Sequence, residues 1–368
     1  MKRRAATIDD VAQLAGVSNM TVSRVVNGAA HVSEETRQRV VSAMADLAYR
    51  PNSLAKGMRS NTTRTIGFIL PDLTNSTNAL VAQTVEQTMA THGYRTLLAS
   101  TAYDVATEQR FLEEFQAKLV DGIIVFLTDE SSVRSIELVD RSSVPVVVID
   151  RDVPAAANFV LTDHRTAMRE IVGHLVGLGH ERIGLIVPSV QVRPGRERHE
   201  AYRRALLDHG LPSPDNLVRA LGQTFDEQEG YRAAMDLLGR RDRPTALIVG
   251  ANLYLPGAVQ ATRELSIDVP SQLSLVGSDE NRLSALIDPP MTIIWRDQRQ
   301  IGERAADLLL EHMRQPATRS RTIVVDSSII YRASCAAAPK LRALRGVGAS
   351  RRMRPRSRKS SQKSAGMA

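Results

Sequence analysis

The first chemistry legible in this sequence lies between Thr7 and Gly28. Ile8, Val11, Ala12, Leu14 and Ala15 fall on one helical face, Gly16-Val17-Ser18 interrupts them, and Asn19 to Val26 forms a second short helix. Gly16 permits a tight turn, Val17 fills the angle between the helices, and Ser18 is placed to cap the second helix. With Val22, Val25 and Val26 turned inward, Asn19, Met20, Ser23 and Arg24 face outward. That outer face combines an amide, a hydroxyl, a guanidinium and an apolar tip, as a helix entering the major groove of DNA requires. Read alone, the pattern also fits an ordinary pair of antiparallel helices with a solvated polar face.

The elements that must position these groups follow from periodicity. Ser33-Glu34-Glu35-Thr36 reads as a helix start, and the third helix is expected to run to about Tyr49 with Val40, Val41, Met44 and Leu47 as its stripe. Pro51 ends it, and Ser53 to Arg59 allows one or two further helical turns. From Thr65 the pattern changes to apolar strands alternating with amphipathic helices. The strands are 66–70, 96–99, 123–127 and 146–149, then 183–187, 246–249 and 273–276, with a helix over about 79–92. Near-continuous apolar runs predict parallel strands covered on both faces. Two serial groups of such units predict two doubly wound lobes, with a ligand cleft at the carboxyl ends of their strands. The expected fold is therefore an all-α helix-turn-helix domain (1–60, hinge helix about 53–59), an α/β domain of two doubly wound lobes (61–335), and a disordered tail (336–368).

Charge supports this division. Residues 1–60 carry nine Lys or Arg against five acids, and 340–368 carry ten and no acid, so the net charge of +8 leaves −6 for the stretch between. Basic ends and an acidic middle point to a polyanion partner at the ends and another task in between. The single cysteine, Cys335, permits neither a disulfide nor a thiolate metal site within the chain. Positions 1–30 lack the apolar stretch of a secretory signal and no run of 18 apolar residues occurs, so a cytoplasmic, membrane-free protein is expected.

The run from Thr7 to Gly67 closely resembles the LacI/GalR family of bacterial transcription regulators. The resemblance rests on Ala15-Gly16-Val17-Ser18, Thr21-Val22-Ser23-Arg24-Val25-Val26-Asn27-Gly28, Val32-Ser33-Glu34-Glu35-Thr36-Arg37, Tyr49-Arg50-Pro51-Asn52 and Arg64-Thr65-Ile66-Gly67. It continues through Leu70-Pro71-Asp72, Val120-Asp121-Gly122, Leu178-Gly179-His180 and Pro289-Pro290-Met291-Thr292, to about residue 333. It implies a periplasmic-binding-protein-like effector domain and a repressor that binds palindromic operator DNA as a homodimer or higher oligomer, with no cofactor and no metal.

The resemblance also assigns roles. Asn19 and Met20 occupy the positions that read base edges, Arg24 that of a guanine contact, and Thr21, Ser23 and Asn27 those of phosphate contacts. Asn52-Ser53-Leu54-Ala55-Lys56-Gly57-Met58-Arg59 matches the hinge helix, in which Asn52, Leu54 and Met58 are taken as DNA contacts and Met58 stands where the family places a minor-groove leucine. Gly57 weakens that helix by roughly 1 kcal/mol relative to alanine, as suits an element that folds on DNA. In the lobes, Arg198 matches an arginine that grips effector hydroxyls or carboxylates, and Asp279 an acceptor carboxylate. Paired donors and acceptors of this kind suit a sugar-like effector, and each residue is expected to be replaceable by alanine without loss of the fold.

The departures also carry information. Asn75-Ser76-Thr77-Asn78 stands where an Asn-Pro and aromatics are usual, and Ala251-Asn252 where an Asn-Asp pair is usual. Asn75 and Asn252 are thus candidate effector contacts, and Trp295 a candidate apolar wall or a core residue. These changes imply a small polar ligand unlike the commonest hexoses. No Gly-x-x-x-x-Gly-Lys loop, His-Glu-x-x-His or Gly-x-Ser-x-Gly elbow occurs, which argues against an enzyme. A free binding protein for transport would have no use for residues 1–60. An architectural DNA-binding protein with silent lobes is the third rival.

Overall fold

The computed structural model of the 368-residue chain describes residues 6–26, 31–49, 62–117, 119–222, 226–280, 284–315 and 319–339. Asn27, the hinge segment with Asn52, Leu54 and Met58, and the chain from 340 onward lie outside them.

Three short helices form the N-terminal unit: α1 (Ile8–Ala15), α2 (Asn19–Val26) and α3 (Glu34–Asp46). A capping box starts α1, with Thr7 Oγ1 accepting from Asp10 N at 3.3 Å and Asp10 Oδ2 accepting from Thr7 N at 2.8 Å. Gly16 ends it at φ +62°, a left-handed conformation in which a side chain would be strained. Ser33 caps α3 through Thr36 N. Val11, Ala12, Ala15, Val22, Val25, Val40 and Ala43 make the core. Leu14 and Val41, expected inside, are each 54% exposed. Three such short helices enclose only a narrow seam, and the flanks of each stripe stay outside it.

The remaining chain builds two six-stranded sheets. The first lobe takes β1 (Thr65–Leu70), α4 (Ser76–Thr91), β2 (Arg95–Ser100), α5 (Val105–Gln116), β3 (Ile123–Val125), α6 (Val133–Asp140), β4 (Val146–Ile149) and β5 (Asn158–Thr162). The second takes α7 (His164–Gly177), β6 (Ile183–Val187), α8 (Arg193–Asp208), β7 (Val218–Ala220), α9 (Glu227–Leu238), β8 (Ala246–Val249), α10 (Leu255–Glu264), β9 (Ser274–Ser278) and β10 (Thr292–Arg296). The chain then returns to the first lobe through α11 (Gln298–Arg314) and β11 (Thr322–Val325), and closes on the second with β12 (Ser327–Ile330). The sheets run β2-β1-β3-β4-β5-β11 and β7-β6-β8-β9-β10-β12, parallel throughout except that β12 is antiparallel to β10. Gly302 lets α11 press on α4, since a Cβ there would lie 2.9 Å from Val81 O.

Each passage between lobes is one aspartate long. Asp163 separates β5 from α7, Asp297 separates β10 from α11, and Asp326 separates β11 from β12. Asp163 accepts from Arg165 N and Thr166 N, and Asp297 from Gln300 N, so two of the three also cap the helix that follows. The first and third passages are joined, with Asp163 N donating to Val325 O at 2.9 Å.

The seven expected strands are present. The strand at Trp295 is β10 (292–296), whereas those at 158–162, 218–220, 322–325 and 327–330 were not anticipated, because their apolar runs are three residues long or shorter. The strand over Thr96–Ala99 is an edge strand, not a covered one: it ends the first sheet, with Leu97 and Leu98 exposed. The tail boundary also moves. Ala336 O accepts from His180 Nε2 at 3.0 Å and Ala338 N donates to Leu178 O at 2.9 Å, so the second lobe holds the chain to at least Ala338.

Candidate functional site

The exposed face of α2 forms one site. Ser18, Asn19, Met20 and Arg24 are exposed, Met20 to 66%, while Thr21 and Ser23 are half-buried beside the core residues Val22 and Val25. Ser18 caps α2 as expected: its Oγ accepts from Thr21 N at 3.2 Å, and the two hydroxyls lie 3.0 Å apart. Asn19 Nδ2 donates to Asp9 Oδ1 of α1, so α1 orients the first residue of the helix that follows. The face therefore offers a fixed amide, a free apolar tip and an unshielded guanidinium.

The second site lies where both sheets present the carboxyl ends of their strands. Its centre is Asp150, directly after β4 and 2% exposed. His164 Nε2 sits 2.9 Å from Asp150 Oδ2, Arg296 Nη1 donates to the same oxygen at 2.8 Å, and Thr162 N donates to Oδ1 at 3.0 Å. Arg193 Nη1 stands 3.5 Å from Asp150 Oδ1 and donates to Thr162 O at 2.7 Å, while its Nη2 pairs with Glu197 at 2.9 Å. Burial pushes the Asp150 carboxyl up, but His164, Arg296 and Arg193 together hold it well below the usual carboxylate range. Burial pulls His164 down to about 4 against the opposing pull of Asp150, so the imidazole is neutral at pH 7.

Arg296 also engages Asp279, Nε to Oδ1 at 2.6 Å and Nη2 to Oδ2 at 3.2 Å, and Gln298 Nε2 donates to Asp279 Oδ1 at 3.3 Å. The expected acceptor Asp279 is thus in the cleft, but both of its oxygens already serve Arg296. Its carboxylate is part of the lobe junction, which argues against the expectation that alanine there would spare the fold. Arg198, 4% exposed, lies within the fields of Arg296, Asp279 and Asp150, and burial followed by repulsion from Arg296 pulls it down to about 10. Asn75 and Asn252 meet across the lobes, Nδ2 of Asn252 donating to Oδ1 of Asn75 at 2.9 Å, and Asn75 Oδ1 also caps α4 through Thr77 N. Trp295 is half-buried against the core under α9 and α10. A further bridge joins Arg196 Nη2 to Glu130 Oε2 at 3.0 Å.

The cleft residues that sequence reasoning missed are Asp150, Arg151, His164, Arg193 and Arg296. One signal was available: a charged residue directly after an apolar strand, as in Val146–Ile149 followed by Asp150-Arg151.

Residues 7–52 match the model of bacterial regulatory proteins, lacI family, and residues 172–335 that of a periplasmic binding protein-like domain. Catabolite control protein A of Priestia megaterium is 31% identical over 334 residues, covering 89% of this chain and 98% of that one. The HTH-type transcriptional repressor PurR of Haemophilus influenzae is 32% identical over 310 residues, covering 84% and 91%. Among solved structures, the Lac repressor dimer bound to operator and the anti-inducer ONPF superposes with a TM-score of 0.80 at 27% identity, covering 91% of this chain and 100% of that one. The transcriptional regulator CelR in complex with cellobiose gives 0.69 at 27% identity, covering 89% and 99%.

Proposed function

Since this chain belongs to the lacI family of bacterial regulatory proteins, it is a DNA-binding transcriptional regulator with an effector domain and not an enzyme, and we propose that it is a cytoplasmic repressor that reads a palindromic operator as a homodimer and is switched by a small polar, sugar-like effector between its lobes. The observation that carries the DNA half is the exposed Asn19–Met20–Arg24 face of α2, set off α1 by the left-handed turn at Gly16. Asn19, Met20 and Arg24 read bases; Thr21, Ser23 and Asn27 hold phosphates, and Ser18, which caps α2, is a further DNA contact. Asn52 and Leu54 touch the DNA beside Met58, which wedges into the minor groove at a central pyrimidine–purine step, where unstacking is cheapest.

The effector half is supported by the convergence of Arg198, Asn75, Asn252 and the Asp279–Arg296 pair on one buried interlobe site. A ligand there acts only through a difference in affinity between lobe arrangements. The lobe arrangement in turn sets the spacing of the two recognition helices in a dimer. The test is an anisotropy titration of the full chain on DNA from its own promoter and on random DNA of equal length. A preference of at least about 10³ for the promoter is expected at physiological salt. Equal affinity for both would overturn the reading.

A further inference from the structure

Two buried guanidiniums in the cleft stand outside its ion pairs. Arg193 and Arg296 are each held by carboxylates at 3.5 Å or less, and the more open Arg196 by Glu130 at 3.0 Å. Arg198, on α8 of the second lobe, makes no hydrogen bond and no ion pair among the described residues, and its Nε is shielded from solvent. Arg151, directly after β4 of the first lobe, is 8% exposed. Among the described residues its one hydrogen bond runs from Nη1 to the carbonyl of Asp150 at 2.9 Å, and its buried Nε has no acceptor.

A buried cation with no carboxylate in direct contact is costly, and natural cores hold few. The nearby carboxylates are already engaged: Asp150 and Asp279 by Arg296, Glu197 by Arg193, and Glu130 by Arg196. Glu108, whose charge Arg151 also feels, spends one oxygen on Thr128 N at 2.5 Å and forms no ion pair with Arg151 among the described residues. Burial pulls Arg151 below the ordinary guanidinium value. The two unpaired groups come from opposite lobes and both stand at the strand ends where such folds take ligands.

We propose that the effector is an acidic polyol, whose carboxylate or phosphate is gripped jointly by Arg198 from one lobe and Arg151 from the other. This rests on reading the cleft as the effector site. A neutral sugar satisfies N–H donors but leaves both guanidiniums without an anion in direct contact. An anion compensates them and ties the lobes together, which gives it the differential affinity that a switch requires.

The test uses the purified full chain, with thermal melts and calorimetric titration. D-gluconate and D-galacturonate form one arm, D-glucose 6-phosphate and D-ribose 5-phosphate a second, and D-glucose, D-galactose and D-ribose the neutral arm, at matched ionic strength. At least one acid should raise the melting temperature and bind about tenfold or more tighter than its neutral counterpart, and the responding arm identifies the source of the charge. Arg198→Gln and Arg151→Gln should each weaken that binding by about tenfold or more, yet melt at or above the wild type without ligand, because an unpaired buried charge has been removed. A wild type that answers no acid overturns the proposal, as do both variants melting well below it unliganded. If a neutral sugar binds as well as its acid and Asn252→Ala abolishes that binding, the cleft reading stands and the acidic effector falls. If binding survives Arg198→Gln, Arg151→Gln and Asn252→Ala alike, the cleft reading itself falls.

Discussion

Asp150 and Asp279 occupy the same place in the two lobes, and Arg296 holds both. Each follows the fourth strand of its lobe and each has a left-handed backbone, at φ +54° and +57°. Each donates its N–H to a carbonyl of the next strand, Asp150 to Val160 and Asp279 to Ile294. Each carboxylate also meets the first residue of the helix beyond a crossover aspartate: His164 after Asp163, Gln298 after Asp297. Aspartate tolerates the left-handed region better than most residues, so the same backbone solution recurs where a carboxylate must turn back into the cleft. The second lobe has Gln298 where the first has His164, and Arg296 couples the halves.

That coupling predicts a cost for breaking it. Asp150→Asn keeps the shape but leaves Arg193 and Arg296 short of a shared anion in a buried site. It should lower stability by about 2–4 kcal/mol, read as a fall in the denaturant midpoint. A change below about 0.5 kcal/mol would show the junction to be energetically idle.

The junction also sets a pH response. His164 titrates at about 4 in the fold because burial, with Arg198 and Arg296 nearby, outweighs the attraction of Asp150. Unfolded, it titrates near about 6.5. Below that value the unfolded chain binds a proton that the folded chain refuses, so stability is lost as pH falls from about 6.5 towards 4. His180 and His199 are lowered by burial as well and act in the same direction. His164→Gln should flatten part of the slope, by up to about 3 kcal/mol at the acid end. Midpoints measured at pH 7 and pH 5 should therefore lie closer together in the variant; an unchanged difference would refute the assignment.

The sequence was most legible where one local feature decides the structure. Gly16-Val17-Ser18 specifies its turn without help from distant residues, and runs such as Ile183–Val187 declare buried strands by composition alone. It was least legible at the junction. Arg296 reaches Asp150 across 146 positions, and only the single-residue passages at Asp163, Asp297 and Asp326 bring those strand ends together. Arg198 and Asp279 were placed in the cleft by resemblance, but which of them was already engaged depended on Arg296, a residue that reads as the polar end of an unremarkable strand. The repeat of Thr162-Asp163-His164-Arg165 in Arg296-Asp297-Gln298-Arg299 was present throughout.

Arg24 provides the test of base reading. Its guanidinium is exposed on the outer face of α2 and can donate two hydrogen bonds to guanine O6 and N7. Arg24→Ala should weaken operator binding by about 1–3 kcal/mol and relax preference at one position per half-site, with little effect on random DNA. Equal losses on both DNAs would make Arg24 a phosphate contact.

The basic segment from 340 onward carries ten Lys or Arg and no acid. It should add salt-sensitive, non-specific DNA affinity. Truncation after Ala338 spares the bond from Ala338 N to Leu178 O and so leaves the second lobe intact. The truncated chain should show a shallower slope of log affinity against log salt on random DNA. An unaltered slope would place the segment off the DNA.

Arg198 and Asp279 should behave differently although both face the same cleft. Arg198 is unpaired, so Arg198→Ala removes a ligand contact and a buried charge together. The fold and basal operator affinity should persist, while the effector's influence on operator binding disappears, a loss of about 1–3 kcal/mol of coupling. Asp279 anchors Arg296 by two hydrogen bonds and receives a third from Gln298. Asp279→Ala leaves that guanidinium with Asp150 alone and should lower stability by about 3–5 kcal/mol before any question of ligand arises. Operator titrations with and without the bound sugar acid or phosphate, beside denaturant melts of each variant, separate the two outcomes. If Asp279→Ala melts like the wild type and loses only the effector response, Asp279 is a ligand contact after all. The junction would then rest on the pair of Arg296 with Asp150, and the symmetry between the two aspartates would be one of shape and not of role.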